Sequence, residues 1–262
     1  MNSYIKQGDC IELMQEIPDK SIDLILCDLP YGVTKNKWDK QINLEKLWIE
    51  YKRIIKDNGV IALFCQGKFF SDLINSNREW YRYDLVWDKV IISGFLNAYR
   101  MPLRRHEQIA IFYKHLPTYN PQMTYGHKPI HNTGKLNPLK KEVNHNYGKF
   151  TRAIMKRVGK TDRMPTSIIR ISKSHPGACN HPTEKPVELL EYLIKTYTNE
   201  NEVVLDNCIG SGSTAVACIR TNRKYIGYEI EKEYFDIAVK RIENEKNQED
   251  LTQDRKGQVK KI

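Results

Sequence analysis

The stretch Val203-Val-Leu-Asp-Asn-Cys-Ile-Gly210-Ser-Gly212-Ser-Thr-Ala215 decides the fold of this 262-residue chain. Its first four residues are typical of a short buried strand, and Gly210, Gly212 and Ala215 match the pattern G-x-G-x-x-G/A at the start of a helix. An acidic residue, Glu229, follows Gly210 by 19 residues, at the end of the next predicted strand. Such glycines let the backbone approach a ligand, and such a carboxylate can hold two ribose hydroxyls. The stretch therefore predicts a nucleotide-cofactor loop, for NAD or for S-adenosylmethionine, with a purely structural strand-to-helix turn as the alternative.

Predicted strands alternate with predicted helices along the chain, which is typical of an α/β fold with a doubly wound, mostly parallel sheet. The predicted strands are residues 22–27, 60–65, 85–87, 108–113, 203–206 and 224–229, and the predicted helices are residues 44–55, 186–194, 214–221 and 234–242. Only one strand and one helix follow the glycine loop, so the sheet cannot be completed from the C-terminal side. We therefore expect a circularly permuted, Rossmann-like sheet, in which Tyr4 and Ile5 continue the sheet beside the C-terminal elements.

Positive charge is concentrated in residues 114–175, which hold 13 Lys and Arg but only 2 acidic residues. The whole chain carries a formal charge of +10, so this region accounts for the entire surplus. Aromatic residues are interleaved with the basic ones, a combination that suits phosphate contact together with base stacking. We predict an inserted region that binds nucleic acid, with a solvated insertion that has no partner as the alternative. The candidate DNA contacts are Lys140, Lys141, Lys156 and Arg157.

The rest of the composition excludes several classes of protein. The start of the chain lacks the apolar segment of a signal peptide, and the longest clean apolar run, residues 60–65, is far too short to cross a membrane. The six cysteines include no C-x-x-C pair, which argues against a disulfide framework and against a zinc ribbon. We expect a cytoplasmic protein with reduced thiols, no metal and no membrane partner.

Four motifs together resemble those of a known family. Asp28-Leu-Pro-Tyr31 follows a predicted strand, where a carboxylate points into the ligand crevice of a doubly wound sheet. It resembles the D-P-P-Y motif of the amino-group DNA methyltransferases, with leucine in place of the first proline. His181-Pro-Thr-Glu-Lys-Pro186 is similar to the segment before the cofactor-binding helix of those enzymes, and Gly8-Asp9 is similar to their adenine-contacting turn. Residues 206–214 resemble their D-P-F-x-G-S-G-T-T loop, with Asn and Cys replacing Pro and Phe.

The order of these motifs is that of the permuted β-group of N6-adenine and N4-cytosine DNA methyltransferases, and the resemblance covers residues 4–243. It implies a catalytic half at residues 1–113, a target-recognition insertion at 114–175 and an S-adenosylmethionine-binding half at 176–243. We expect residues 244–262 to form a disordered tail, because large apolar residues are scarce there.

The resemblance also implies a role for each motif. Asp28 and the carbonyl of Leu29 would accept hydrogen bonds from an exocyclic amine, Pro30 would stiffen the loop, and Tyr31 would stack on a base flipped out of duplex DNA. Asp9 would contact the adenine of S-adenosylmethionine, Glu229 its ribose, and Gly210 and Gly212 its methionine part. The other implied cofactor contacts are Thr183, Lys185, Asp206, Asn207, Ser213 and Thr214. A homodimer is a further implication of the family.

These motifs favour a site-specific N6-adenine DNA methyltransferase. N4-cytosine enzymes more often carry Ser at the position of Asp28, and relatives that methylate RNA or a protein amide usually carry Asn there. Methylation at cytosine C5 is disfavoured, because the chain has no Pro-Cys dipeptide to supply the nucleophile. A DNA-binding subunit that has lost catalysis is the alternative from another class. The sequence leaves open whether a restriction enzyme accompanies the protein or whether it acts alone.

Overall fold

The computed structural model of the chain describes residues 2–32, 42–130, 143–144, 148–149, 159–173 and 184–259. These residues fall into two compact units, one formed by Met1–Asn120 with Ser167–Ile262 and the other by Pro121–Thr166. The strands are β1 (Tyr4–Gln7), β2 (Ile22–Cys27), β3 (Ile55–Cys65), β4 (Tyr81–Ser93), β5 (Arg104–Phe112), β6 (Val143–Asn144), β7 (Gly148–Lys149), β8 (Ile168–Arg170), β9 (Val203–Asp206) and β10 (Lys224–Glu229). The helices are α1 (Cys10–Met14), α2 (Leu44–Ile54), α3 (Gly67–Ser76), α4 (Val187–Tyr197), α5 (Ser213–Arg220) and α6 (Lys232–Val259).

The larger unit is built on an eight-stranded sheet in the order β1-β10-β9-β2-β3-β5-β4-β8. Within the described part of this sheet, β5 runs antiparallel to both of its neighbours and every other pair of adjacent strands is parallel. The predicted α/β fold with a mostly parallel sheet is therefore confirmed. The carboxyl ends of all strands other than β5 lie at one edge, which is where such sheets bind their ligands.

The chain closes its sheet by pairing its two ends. β1 lies parallel to β10, with Tyr4 opposite Ile226 and Gln7 opposite Glu229. The amide of Gly8 then donates to the carbonyl of Glu229 at 2.9 Å. The expectation of a circular permutation, in which the N-terminal strand continues the sheet, is confirmed.

Buried side chains lie on both faces of the sheet, because residues along a strand alternate between its faces. On β2, Leu24 and Leu26 pack on the face covered by α4 and α5, whereas Ile25 and Cys27 pack on the face covered by α1 to α3. A strand that is buried on both faces has a continuous run of apolar residues, rather than apolar residues that alternate with polar ones. This is why residues 22–27 and 203–206 could be recognised as strands from sequence.

The basic region is shorter as a structural unit than the sequence predicted. Ile168–Arg170 forms β8, which pairs with β4 in the main sheet, and the side-chain amide of Asn120 donates to the carbonyl of Thr198 at the end of α4, at 3.0 Å. Ile169 of β8 and Ile171 directly after it are buried in the core of the larger unit, although they lie in a stretch dominated by positive charge. The smaller unit, Pro121–Thr166, contains an antiparallel bridge between Thr124 and Arg163.

The C-terminal segment also differs from its prediction. Helix α6 continues through residues 244–259, where we expected disorder. Residues such as Glu, Lys and Gln favour a helix even when they have nothing to pack against, so a lack of apolar residues argues against burial and not against helix formation. The guanidinium of Arg220 also forms two hydrogen bonds with the carboxylate of Glu245, at 2.6 and 2.9 Å. Among the described residues, the helices lack a segment that combines the length and the apolar character needed to cross a membrane.

Candidate active site

A cavity of about 710 Å³ lies at the carboxyl edge of the parallel strands. Its walls include the residues that directly follow four of the strands: Gly8 after β1, Asp28 after β2, Asn207 after β9 and Ile230 after β10. Asp9, the next residue after Gly8, also lines the cavity. The volume is in the range of sites that enclose a small organic ligand. The sheet therefore brings the predicted cofactor residues and the predicted catalytic residues to one cavity. We call the wall around Asp9 and residues 206–214 and 229–231 the glycine-loop half. The charged half consists of Asp28, Glu107 and Lys185, which line the cavity, and of Lys89, which lies behind Glu107.

Two glycines in the glycine-loop half serve different purposes. Both have left-handed backbone conformations, with φ of +54° at Gly210 and +85° at Gly212. A Cβ atom at Gly212 would lie 3.2 Å from Ala238 of α6, so this glycine is needed for helix packing. A Cβ atom at Gly210 would meet nothing within 4 Å. Gly210 is therefore the position at which the backbone can lie directly against a ligand.

The carboxylate of Glu229 is anchored beside that glycine. One of its oxygens accepts a hydrogen bond from the amide of Gly210 at 2.8 Å, and the other accepts one from the amide of Glu231 at 2.9 Å. Burial raises the pKa of Glu229 above the ordinary value of a glutamate. Each carboxylate oxygen has a second lone pair, so Glu229 can accept further hydrogen bonds from hydroxyl groups of a ligand.

The other predicted residues of this half brace the loop. Asp206 is buried and accepts from the hydroxyl of Thr214 at 2.5 Å and from the amide of Cys208 at 3.1 Å. Burial raises the pKa of Asp206 to about 6. The side-chain oxygen of Asn207 accepts from the hydroxyl of Tyr51 at 2.5 Å. These side chains border the cavity, but their observed hydrogen bonds hold the protein together.

Two further residues of this half also make structural contacts. Asp9 caps α1 by accepting hydrogen bonds from the amides of Ile11 at 2.8 Å and Glu12 at 3.3 Å. The hydroxyl of Ser213 accepts from the guanidinium of Arg241 at 3.0 Å. The cap holds the Asp9 carboxylate at the cavity wall, close to the end of β1.

The catalytic loop is held in place on the other side of the cavity. The phenol of Tyr31 donates to the carboxylate of Asp28 at 2.7 Å, and its ring stacks on Phe69 with the ring centroids 4.9 Å apart. Burial, together with the negative charge of Asp28, raises the pKa of Tyr31 well above its ordinary value, so the phenol stays protonated. The side chain of Leu29 is buried in the core below α1 to α3, which accounts for an apolar residue at this position.

A chain of buried charges runs behind Asp28. The ammonium of Lys185 pairs with the carboxylate of Asp28 and lies 3.4 Å from one oxygen of Glu107, whose other oxygen lies 3.1 Å from the ammonium of Lys89. Lys185 also lies 5.0 Å from the ring centroid of Phe64. Burial opposes a charged Lys185, but Asp28 and Glu107 outweigh burial and raise its pKa. Likewise, Lys185 and Lys89 outweigh burial at Glu107 and hold the pKa of that carboxyl below its usual value.

The segment before α4 connects the two halves. The carboxylate of Glu184 pairs with Arg241 at 2.8 Å and accepts from the hydroxyl of Ser211 at 3.2 Å, in the glycine loop. Its neighbour Lys185 reaches Asp28 in the charged half. The resemblance implied that Lys185 contacts the cofactor, whereas the structure pairs it with Asp28 and Glu107. Thr183, implied as a cofactor contact in the same segment, lies outside the described residues, as do the candidate DNA contacts Lys140, Lys141, Lys156 and Arg157.

The comparison with known families agrees with this geometry. The family of N6/N4 DNA methylases matches residues 22–240, which span most of the chain and include Asp28, Lys185, Gly210 and Glu229. The chain belongs to the DNA methylase family. The predicted family is thereby confirmed, together with the prediction of an enzyme that transfers methyl groups to DNA.

Relatives of this methylase include restriction-modification enzymes and an adenine methyltransferase. It is 27% identical to the type II methyltransferase M.HpaI of Haemophilus parainfluenzae, over 94% of this chain and 76% of the relative. It is 28% identical to M.HinfI of Haemophilus influenzae, over 92% of this chain and 68% of the relative. It is 25% identical to the DNA adenine methyltransferase YhdJ of Escherichia coli, over 91% and 82% of the two chains.

Solved structures of the same architecture include a complex with S-adenosylmethionine and a cytosine-specific enzyme. The complex of M1.HpyAVI with S-adenosylmethionine superposes with a TM-score of 0.59 at 25% identity, over 91% of this methylase and 98% of that chain. The cytosine-N4-specific PvuII DNA methyltransferase superposes with a TM-score of 0.61 at 16% identity, over 91% and 86% of the two chains. The fold is therefore shared with a cytosine-N4-specific enzyme, so the fold alone does not identify the base that this methylase modifies.

The glycine-loop half fits S-adenosylmethionine, the methyl donor that goes with the family. Gly210 leaves the backbone open to a ligand, and the Glu229 carboxylate retains lone pairs for ribose hydroxyls. The residues that sequence reasoning missed belong to the charged half. Lys89 lies on β4 and Glu107 on β5, each as a charged residue beside a run of apolar residues. Nothing in their local sequence indicates that Glu107 pairs with both Lys89 and the distant Lys185.

Proposed function

We propose that this methylase is a site-specific N6-adenine DNA methyltransferase that uses S-adenosylmethionine and acts on duplex DNA. The observation that carries the proposal is the meeting, in one cavity, of the Asp28 carboxylate, held by Tyr31 and Lys185, with Gly210 and the Glu229 carboxylate. One half of the cavity thus suits a nucleoside cofactor, and the other presents an acceptor to an amine.

The glycine-loop half would hold the cofactor. S-adenosylmethionine supplies a methyl group that is activated by its attachment to a sulfonium. Glu229 would accept hydrogen bonds from the ribose hydroxyls, Asp9 would lie against the adenine, and the backbone at Gly210 would border the methionine part. Glu229 stays fixed during this binding because two backbone amides already hold it.

The charged half would orient the target amine. The exocyclic nitrogen of adenine is a poor nucleophile, because its lone pair is delocalised into the ring. Asp28 and the carbonyl of Leu29 would accept its two N–H groups, which localises the lone pair and directs it at the methyl group. Alignment of this kind can contribute roughly 7–11 kcal/mol.

Lys185 would hold the Asp28 carboxylate in position to accept from the amine, through the ion pair between the two side chains. Lys185 faces two carboxylates, so it can remain in contact with Glu107 when an amine approaches Asp28. Glu107 and Lys89 are then positioning residues, which act on the substrate only through Lys185 and Asp28.

Tyr31 would stack on the flipped base. A base inside a duplex is out of reach of the cavity, so it must leave the stack before its amine can meet Asp28. The ring of Tyr31 is fixed by its hydrogen bond to Asp28 and by its stacking on Phe69. Because the ring is already held in place, little conformational entropy would be lost when a base stacks on it.

Adenine is favoured over cytosine by the aspartate at position 28, since the cytosine enzymes of the family more often carry serine there. The adenine methyltransferase named among the relatives supports the same choice. N4-cytosine methylation remains the second candidate, because a cytosine-N4-specific enzyme shares the fold. The ion pair between Lys185 and Asp28 argues against an inactive DNA-binding subunit.

The remaining parts of the proposal concern partners and organisation. Residues 114–175 would recognise the target sequence, with Lys140, Lys141, Lys156 and Arg157 contacting phosphates, between a catalytic half at 1–113 and a cofactor half at 176–243. A homodimer and a cytoplasmic location belong to the same proposal. The described cysteines are free thiols, as a reducing compartment would require.

Methylation-sensitive sequencing of DNA from cells that express the protein tests the proposed function. We expect N6-methyladenine at one short sequence motif, and unmodified DNA from cells that express the Asp28→Ala variant. Methylation that is confined to cytosine, or DNA that is unmodified by the wild-type protein, would refute the adenine assignment.

A further inference from the structure

The turn between β4 and β5 exposes large apolar side chains that the cavity does not use. We call residues 94–103 the hairpin tip. Its exposed apolar residues are Phe95, Leu96, Tyr99 and Met101. The side chain of Leu96 is 98% exposed, so it packs against nothing in the described chain. A cluster of exposed apolar side chains on a protein of this size marks an interaction surface rather than a random feature.

The hairpin tip lies at the edge of the sheet that holds the cavity. β4 runs parallel to β3 and β2, so its carboxyl end, which leads into the tip, is at the same edge as Asp28. The strands that carry the tip also supply two cavity residues, Trp87 and Glu107. At the base of the tip, the guanidinium of Arg104 donates to the side chain of Gln66, another residue of the cavity wall, at 3.0 Å.

The charge around the hairpin tip suits a polyanion. Of the four Lys and Arg residues in 89–106, Lys89 is buried against Glu107 and Arg105 forms two hydrogen bonds with Asp88, at 2.8 and 3.0 Å. The exposed Arg100 and Arg104 supply the positive charge of the tip. Apolar and aromatic groups among arginines suit the binding of nucleic acid. The arginines can contact its phosphates, and the apolar groups can contact its bases. In a symmetric contact between two copies of the chain, these like charges would face one another.

The backbone at the base of the hairpin tip is strained, which indicates that the direction of the tip is a specific feature of the fold. Val90 has a φ of +64°, a conformation that a β-branched residue rarely adopts. Its amide donates to the carboxylate of Asp88 at 2.9 Å, and the pairing of β4 with β5 is interrupted between Asp88 and Ser93. Bulges of this kind redirect a hairpin and occur next to active sites.

We propose that the hairpin tip is a DNA-contacting surface, in which Leu96 and Tyr99 enter the duplex beside the target base and fill the space that the flipped base leaves. The proposal rests on the proposed function, because it needs a base that leaves the stack. The apolar side chains replace stacking that is lost on flipping, and Arg100 and Arg104 lie close to the flanking phosphates.

The test compares Leu96→Ala and Tyr99→Ala with Ile49→Ala. Ile49 is the matched control, because it is a large apolar residue that is 66% exposed on α2 and lies outside both the cavity wall and residues 114–175. Methyl transfer is measured on two short duplexes that carry the motif found by sequencing. In one the target base is paired, and in the other it faces an abasic site, so the cost of unpairing is already removed.

For both tip variants we expect kcat/KM for the paired duplex to fall by about tenfold, while KM for S-adenosylmethionine stays unchanged. On the abasic duplex the loss should shrink to within about twofold, since the base leaves the stack without help. Ile49→Ala should behave as the wild-type protein on both duplexes.

Three results would overturn the proposal: equal losses on the two duplexes, no loss on the paired duplex, or a loss accompanied by a lower sedimenting mass. The last result would identify the tip as an interface between copies of the chain. A wild-type protein that methylates neither duplex would instead refute the proposed function, and this proposal with it.

Discussion

The glycine-loop half and the charged half of the cavity both contain buried carboxylates, but they hold them by different means. Glu229 and Asp206 accept hydrogen bonds from backbone amides and a hydroxyl, and burial raises the pKa of both. Glu107 faces two ammonium groups, and its pKa is lowered. The first half is therefore organised by neutral donors, and the second by opposite charges.

This difference matches the tasks that we propose for the two halves. A ribose presents neutral hydroxyls, so a carboxylate held by amides needs no cation of its own. A target amine has to meet a hydrogen-bond acceptor in a fixed position, and the ion pair with Lys185 holds the Asp28 carboxylate there. We therefore expect substitutions in the glycine-loop half to change cofactor affinity, and substitutions in the charged half to change turnover and its pH dependence.

The largest effect is expected for Asp28→Ala. Methyl transfer should fall by about 100-fold or more, because the amine loses its charged acceptor. Affinity for S-adenosylmethionine, measured by calorimetry, should stay within about twofold, since the variant leaves Glu229 and Gly210 intact. Asp28→Asn keeps the shape and removes the charge, and should also be inactive. Turnover within a few-fold of wild type would end the assignment of Asp28.

Glu229→Gln should produce the next largest effect, and in the other half. A glutamine presents an N–H group to one of the two backbone amides that the carboxylate accepts from, so the side chain must turn away. We expect affinity for S-adenosylmethionine to fall by about tenfold or more, with DNA affinity unchanged. Glu233→Gln, an exposed change at the start of α6, is the control for a lost surface charge. Unchanged calorimetric affinity for Glu229→Gln would contradict the role of this half.

Glu107→Gln should reduce kcat by roughly tenfold and change its pH profile. Glu107 helps to raise the pKa of Lys185, so its removal lowers that pKa. The limb on which activity is lost at high pH, where Lys185 gives up its proton, should therefore move to lower pH. A purely structural role would lower kcat without moving the limb. Glu79→Gln, an exposed glutamate outside the cavity, should leave the profile unchanged.

The smallest effect on catalysis is expected for Asp206→Asn, whose carboxylate braces the loop. Transfer at pH 8 should change by less than about threefold. The pH dependence of the free energy of unfolding should be more informative. The pKa of Asp206 in the folded protein is about 6, above its ordinary value of 3.8. The folded state thus binds the proton more tightly, and Asp206 makes the protein less stable as pH rises from about 4 to about 6. Urea unfolding should show this slope in the wild type and its loss in the variant.

The sequence predicts the glycine-loop half well because that half is local. Residues 206–231 carry the strand ends, the glycines and Glu229 at a spacing that the βαβ unit fixes. The strands 22–27, 203–206 and 224–229 also follow directly from their apolar runs, since each is buried on both faces.

The charged half could not be predicted in the same way. Lys89, Glu107 and Lys185 come from β4, β5 and the segment before α4, and they meet only because β5 lies between β3 and β4 in the sheet. The spacing of apolar residues within a single strand or helix carries no information about the order of the strands in the sheet. The short strand β8 was missed for a related reason. It pairs with the distant strand β4, but it lies in a basic stretch of sequence that we had assigned to an insertion.

The central claim, that the two halves act together on the amine of adenine, is tested most directly by following the methyl group. Unmethylated duplex DNA is incubated with the protein and S-adenosylmethionine that carries an isotopically labelled methyl group, then digested to nucleosides and analysed by mass spectrometry. We predict labelled N6-methyladenine from the wild-type protein and none from Asp28→Ala. Labelled N4-methylcytosine without N6-methyladenine would contradict the claim.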